Sequence, residues 1–174
     1  MNLDTLQVEG VKLQITENFR SAMNSIEHGD NVFLTGKAGT GKTFFLKALT
    51  QVTNKQHVVL APTGIAAVQA SGMTLFSFFQ LPFKPMLMSD KIFQTVSDTG
   101  TTSIYSYFKY SQNKLELIKN LELLIIDEIS MVRCDVISAV DRLLKVFRKN
   151  SNPFGGVQVV IIGDPFQLPP VVRP

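Results

Sequence analysis

One short run of residues carries the plainest chemistry in the chain. Gly36-Lys37-Ala38-Gly39-Thr40-Gly41-Lys42-Thr43 has the spacing G-x-x-x-x-G-K-[ST]. Glycines let a backbone fold tightly enough for its N–H groups to face phosphate oxygens. Gly36, Ala38, Gly39, Thr40 and Gly41 are the expected cradle. Lys42 supplies a positive charge for the β- and γ-phosphates, and Thr43 offers a hydroxyl to Mg²⁺. A helix starting near Lys42 adds its positive end. The expected cofactors are therefore ATP and Mg²⁺. The alternative is a glycine-rich turn with no ligand, and the strand before it and helix after it argue against that.

A second constellation lies at Leu123-Leu124-Ile125-Ile126-Asp127-Glu128, an apolar run ending in two carboxylates. Unpaired buried carboxylates are costly, so an acidic pair there needs a reason. At the end of a parallel strand it faces the crevice where ligands bind. Asp127 is expected to hold Mg²⁺ through water, and Glu128 to activate the attacking water as a general base. Taken alone, either acid can equally cap a following helix. A third run, Val159 to Asp164, also ends in an acid, and Gln167 follows it. Gln167 can report on the γ-phosphate, or lie in a proline-rich exit loop.

Four β-rich runs position these groups: Asn31 to Thr35, His57 to Ala61, Leu121 to Asp127 and Gln158 to Gly163. The last three are near-continuous apolar runs, as expected of parallel strands covered on both faces. Helical patterns lie between them. Thr16 is placed to cap a helix burying Phe19, Met23 and Ile26 and ending at Gly29. Lys42 to Gln51 reads as a helix with Phe45, Leu46 and Leu49 inward, and Gly64 to Ala70 as a short one. Asp135 to Lys149 carries an apolar stripe of Ile137, Val140, Leu143, Leu144 and Phe147. Strands alternating with helices imply βαβ units and an α/β layered fold. Residues 73–120 read as an irregular insertion, with a polar stretch at Asp98-Thr99-Gly100-Thr101-Thr102 and a helix near Lys114 to Leu121.

With 174 residues, 45% hydrophobic and 18% charged, the chain suits one globular domain. No apolar run approaches the roughly 20 residues that span a bilayer, and no signal peptide is visible. One cysteine, Cys134, excludes an internal disulfide and fits a reducing, intracellular setting. The net charge of +3 tolerates a polyanion without arguing for one.

Four segments agree in order and spacing: the phosphate loop, Ala61-Pro62-Thr63-Gly64-Ile65-Ala66-Ala67, Ile126-Asp127-Glu128-Ile129-Ser130-Met131-Val132, and Gly163-Asp164-Pro165-Phe166-Gln167-Leu168-Pro169-Pro170-Val171. Together they resemble the first motor domain of the Pif-type DNA helicases, the RecD-like B-type branch of helicase superfamily one, from about Ile15 to Val171. The resemblance implies a P-loop NTPase with a RecA-like three-layer fold and a mostly parallel central sheet. In that sheet the strand ending at Gly163 lies between those ending at Thr35 and Asp127. It implies a motor moving 5′ to 3′ on single-stranded DNA, with Lys42, Thr43, Asp127, Glu128 and Gln167 at the nucleotide. Pro62, Thr63 and Gly64 fall where the family touches the DNA backbone.

Thr74-Leu75-Phe76-Ser77-Phe78-Phe79 is similar to the family's T-[IL]-H-S-F-F along the DNA path, with Phe76 replacing histidine. Thr74, Phe76, Ser77, Phe78 and Phe79 are thus DNA candidates. Phe76, Phe78 and Phe79 can be stacking rings or core. Thr16-Glu17-Asn18-Phe19 stands where many members carry an adenine-reading glutamine, with Asn18 as the substitute. The resemblance also implies a second RecA-like domain beyond this chain, which would be monomeric alone. That domain supplies an arginine to the γ-phosphate, since Arg133, Arg142, Arg148 and Arg173 lie in no second phosphate motif. A nucleotide-gated module that binds DNA or a partner without translocating remains the alternative.

Overall fold

Apolar residues that alternate between two faces build the centre of the molecule. The computed structural model describes residues 7, 8, 10–12, 15–95 and 103–170. The 98–102 stretch, Val171 and Arg173 lie outside them. Strands β1 (Gln7–Val8) and β2 (Val11–Lys12) form a small antiparallel pair. The main sheet contains β3 (Val32–Thr35), β4 (His57–Ala61), β5 (Met73–Thr74), β6 (Leu123–Ile126) and β7 (Gln158–Gly163). All its strands run parallel, in the order β3-β7-β6-β4-β5. The strand ending at Gly163 therefore lies between β3 and β6, as expected.

The helices are α1 (Glu17–His28), α2 (Lys42–Val52), α3 (Gly64–Gln69), α4 (Leu75–Phe79), α5 (Ile104–Tyr107), α6 (Gln112–Asn120) and α7 (Cys134–Arg148). One sheet face, with Val59, Leu123, Ile125, Val160 and Ile162, packs on Met23 and Ile26 of α1 and Phe45, Leu46 and Leu49 of α2. The other, with Leu60, Leu124, Ile126 and Val159, packs on Val140, Leu143 and Leu144 of α7 and Ile118 of α6. The side-chain period of two thus sends successive β6 residues into two separate cores. This is a RecA-like three-layer α/β fold, and it explains why the central strands read as unbroken apolar runs. Edge strand β3 lacks that pattern because Phe33 is exposed.

Local signals set most boundaries. The Thr16 hydroxyl accepts from Phe19 N–H at 3.2 Å, and Gly29 closes α1 in the left-handed conformation at φ 97°. Helix α7 begins one residue earlier than expected, capped by Arg133, and its buried stripe also takes in Val136 and Ala139. Ile137 packs only at the margin of that core.

Residues 73–120 are more than an irregular insertion. They supply Leu75, Phe79, Phe93, Ile104 and Phe108 to the larger core. The buried Tyr110 hydroxyl donates to Phe79 O at 2.7 Å, and burial raises its pKa. Helices as short as α4 and α5 hold too few residues to display a 3.6-residue period, so sequence alone does not reveal them.

Candidate nucleotide site and adjoining groove

All the groups singled out for chemistry leave the sheet at one edge, the carboxyl ends of the strands. The phosphate loop follows β3, Pro62 to Gly64 follow β4, Asp127 and Glu128 follow β6, and Gln167 follows β7. Parallel strands place such loops around one crevice.

The loop's glycines meet a conformational demand. Gly39 and Gly41 have φ of 76° and 91°, where a side chain is strained. A Cβ on Gly36 would stand 2.7 Å from the Thr40 Oγ1. The Lys42 ammonium folds back over the loop and donates to Gly36 O at 2.6 Å and Lys37 O at 3.0 Å. Its charge is thereby held against the first turn of the loop that Gly36, Ala38, Gly39, Thr40 and Gly41 build. Thr43 follows in the first turn of α2 and is exposed.

Asp127 is 8% exposed. Burial raises its carboxyl pKa, reinforced by the Glu128 charge and opposed by the Glu128 N–H and the Lys42 ammonium. Its Oδ1 accepts from Glu128 N–H at 2.9 Å. Glu128 itself sits at φ 52°, ψ 47°, a left-handed conformation that costs a non-glycine residue on the order of 1–2 kcal/mol. Backbone strain of this kind collects where a side chain must be aimed.

These residues fit a magnesium nucleotide. Among the described residues no group of three or more His, Cys, Asp and Glu could hold a metal unaided. A hydroxyl, a desolvated carboxylate and phosphate oxygens are the oxygen donors Mg²⁺ takes while keeping its waters. A bound cation would also relieve the cost of Asp127's buried charge.

Gln167 is half-buried, and its position is set by Asp164, which is 7% exposed. Asp164 Oδ1 accepts from Phe166 N–H at 3.0 Å, and Asp164 O accepts from Gln167 N–H at 3.0 Å. Thr35 pairs with Gly163, so this turn emerges beside the start of the phosphate loop. From sequence Asp164 reads only as the acid ending an apolar strand, with no role assigned to it.

The candidate DNA residues divide. Pro62, Thr63 and Phe76 line a groove of about 680 Å³ together with Phe83, Lys84 and Arg133. Thr63 caps α3, accepting from Ala66 N–H, and Thr74 caps α4, accepting from Ser77 N–H. Gly64 and Ser77 are exposed.

Phe78 and Phe79 correct the sequence expectation. They are 1% and 0% exposed, packed edge-to-face at 4.8 Å, and Lys114 lies 3.0 Å over the Phe78 ring. Rings sealed in the core offer no face to a base. Phe83, by contrast, carries only the weak signal of an aromatic between Pro82 and Pro85, and Lys84 beside it reads from sequence as an ordinary solvated charge. Two further arginines among the described residues are occupied: Arg142 donates to Phe93 O, and Arg148 to four carbonyls.

Comparison with known proteins puts a family to this geometry. A family model described as PIF1-like helicase matches residues 14–174. The chain is 33% identical over 173 residues to the ATP-dependent DNA helicase PIF1 of Saccharomyces cerevisiae, covering 94% of this chain and 19% of that protein. It is 38% identical over 154 residues to the ATP-dependent DNA helicase Pif1 of a Psychrobacter species, covering 87% of this chain and 21% of the relative. Bacteroides Pif1 bound to single-stranded DNA superposes with a TM-score of 0.80 at 47% identity, covering 92% of this chain and 34% of that one. Bacteroides Pif1 has also been solved with ADP-AlF4. The chain thus spans about a fifth of these curated relatives and a third of the solved ones. With its whole sheet and the loops at its edge inside the matched region, the chain belongs to the PIF1-like helicase family.

Proposed function

We propose that this chain is the ATP-binding motor domain of a 5′-to-3′ DNA helicase, coupling ATP hydrolysis to movement on single-stranded DNA in the intact protein. The observation that carries the reading is the shared strand edge, which brings together the Lys42 loop, the desolvated Asp127 and Glu128 in its left-handed turn. Lys42 holds the β- and γ-phosphates, leaving its loop carbonyls to do so. Thr43 and Asp127 hold Mg²⁺, which when bound supplies charge neutralisation to the phosphates. Glu128 takes the proton of the attacking water, and Gln167 orients that water against the γ-phosphate. Gly36, Ala38, Gly39, Thr40 and Gly41 offer backbone N–H groups to the phosphate oxygens.

DNA runs over Pro62, Thr63 and Gly64 and past Thr74, Phe76 and Ser77. A second RecA-like domain of the same protein closes the cleft and delivers an arginine to the γ-phosphate. The commitment of Arg133, Arg142 and Arg148 to structural bonds supports that outside source. The chain alone is then a monomer with weak nucleotide binding and negligible DNA-stimulated turnover.

Steady-state ATP turnover of the intact protein, with and without single-stranded DNA, tests the reading beside strand separation on a 5′-tailed duplex. Stimulation and unwinding are expected. DNA binding without stimulation would instead favour a nucleotide-gated binding module.

A further inference from the structure

The groove beside Pro62 and Thr63 holds an aromatic arrangement that the motifs do not account for. Phe83 is 83% exposed, yet it is not a stray surface residue. Its ring lies on that of Phe76 with centroids 4.9 Å apart and planes 14° from parallel. One face is backed by protein, and the exposure leaves the other open.

The backbone beneath it is held as well. Arg133 donates to Lys84 O at 3.2 Å, while Met86 N–H donates to Asp135 Oδ2 at 2.9 Å. Arg133 and Asp135 in turn hold each other through two hydrogen bonds of 2.9 and 2.6 Å. That partnership draws the Asp135 carboxyl below the ordinary aspartate range. A flat, exposed, preorganised ring loses little freedom when a ligand stacks on it. The next residue, Lys84, is exposed and lines the same groove, which puts a cation within it.

We propose that Phe83, backed by Phe76 and pinned by Arg133 and Asp135, is a base-stacking platform for single-stranded DNA, with Lys84 gripping the adjacent phosphate. The inference rests on the DNA-motor reading above and deepens it. An aromatic platform takes any base, since every base has a π-face, and a lysine at its side contacts backbone without reading sequence. Such a grip suits a motor that must hold all sequences equally. The ring pair is also tied to the start of α7, which follows the Glu128 turn after only a few residues. Through the bond from Arg133 to Lys84 O, the Phe83 segment is held at the start of α7, a few residues after Glu128.

Fluorescence anisotropy of a labelled oligothymidylate with the intact protein tests this. Phe83→Ala is expected to weaken binding about 5- to 150-fold, the loss of one stacked base. Phe83→Trp should retain affinity. Phe83→Leu should lose it, because leucine restores apolar volume without a π-face. The Phe83→Ala penalty should shrink on an oligonucleotide whose bases are replaced by abasic sites. Lys84→Ala should lower the slope of log affinity against log salt by about one, and Phe83→Ala should leave that slope alone. Unchanged melting temperatures for the Phe83 variants establish that folding is intact.

Wild-type affinity in both Phe83→Ala and Phe83→Leu overturns the platform while the DNA reading stands. Equal affinity of Phe83→Leu and wild type, with Phe83→Ala weakened, overturns stacking in favour of simple burial. Failure of the wild-type protein to bind the oligonucleotide overturns both the platform and the DNA reading.

Discussion

Gly163, the last residue of β7, lies directly against Ile129, the residue after Glu128. A Cβ on Gly163 would stand 2.8 Å from Ile129 Cγ2, 3.0 Å from Ile129 N and 3.5 Å from Ser130 N. The first two spacings leave no room for a methyl group. The strand that leads to Gln167 and the turn that aims Glu128 therefore touch through a missing side chain. Gly163 does not adopt a positive φ, so its smallness rather than its flexibility matters here.

Gly163→Ala should push the Glu128 turn away from the sheet while leaving the phosphate loop untouched. The expected result is near-normal ATP affinity with turnover reduced about 10- to 100-fold, the scale of a misplacement of about 1 Å. Separate measurement of kcat and KM for ATP in the intact protein checks it. An unchanged kcat would show that the turn absorbs the methyl group without moving Glu128.

Lys42→Ala and Glu128→Gln should fail differently. The first removes the ammonium now lodged against Gly36 O and Lys37 O, and ATP binding should be lost. The second keeps the side chain's shape and removes the base, so binding persists while turnover falls by about 10²- to 10⁴-fold. Calorimetric titration with a non-hydrolysable nucleotide separates the two. Equal loss of affinity in both variants contradicts the division of roles.

Asp127→Asn should stabilise the nucleotide-free protein near neutral pH and abolish metal-dependent turnover. Burial raises the carboxyl's pKa, so the folded state holds this proton more tightly than the unfolded chain. Stability from the neutral form is complete below the unfolded aspartate value of about 3.9 and is lost as pH rises through the raised folded value. At pH 7 the wild-type protein therefore carries a buried charge that asparagine lacks, while the amide oxygen can still accept from Glu128 N–H. Melting curves at pH 7 and pH 3 should show a gain for the variant at the higher pH that disappears at the lower. A variant that melts below wild type at pH 7 without metal sinks this account.

Arg148→Lys should cost about 1–3 kcal/mol of stability, the scale for removing charged hydrogen bonds that leave partly buried carbonyls unpaired. The guanidinium donates to Gly155 O at 2.8 Å, to Ile118 O and Lys119 O at 2.7 Å, and to Leu121 O at 2.9 Å. One fork thus ties the end of α6 to α7 and to the turn before β7. An ammonium cannot serve that spread of acceptors. Denaturant unfolding with an unchanged m-value checks it, and a loss under about 0.5 kcal/mol, the range of ordinary surface substitutions, would reject it.

Features whose physics is local were legible in the chain as written. The phosphate loop is one, because Gly39 and Gly41 must take positive φ within a few residues of Lys42. Helix α1 is another, with its cap at Thr16 and its stop at Gly29, and so are the central strands, whose unbroken apolar character follows from cover on both faces. Tertiary structure alone decided which of several like residues faces which way. Phe78 and Phe79 are sealed in the core, while Phe76 and Phe83 stack at the surface, yet a run of phenylalanines carries no mark of the difference. The same holds for Arg133, drawn to Lys84 O, and for Gly163, emptied to admit Ile129. Each of these depends on a partner far away in sequence, and burial and contact are properties of the packed chain that no local pattern of residue types encodes.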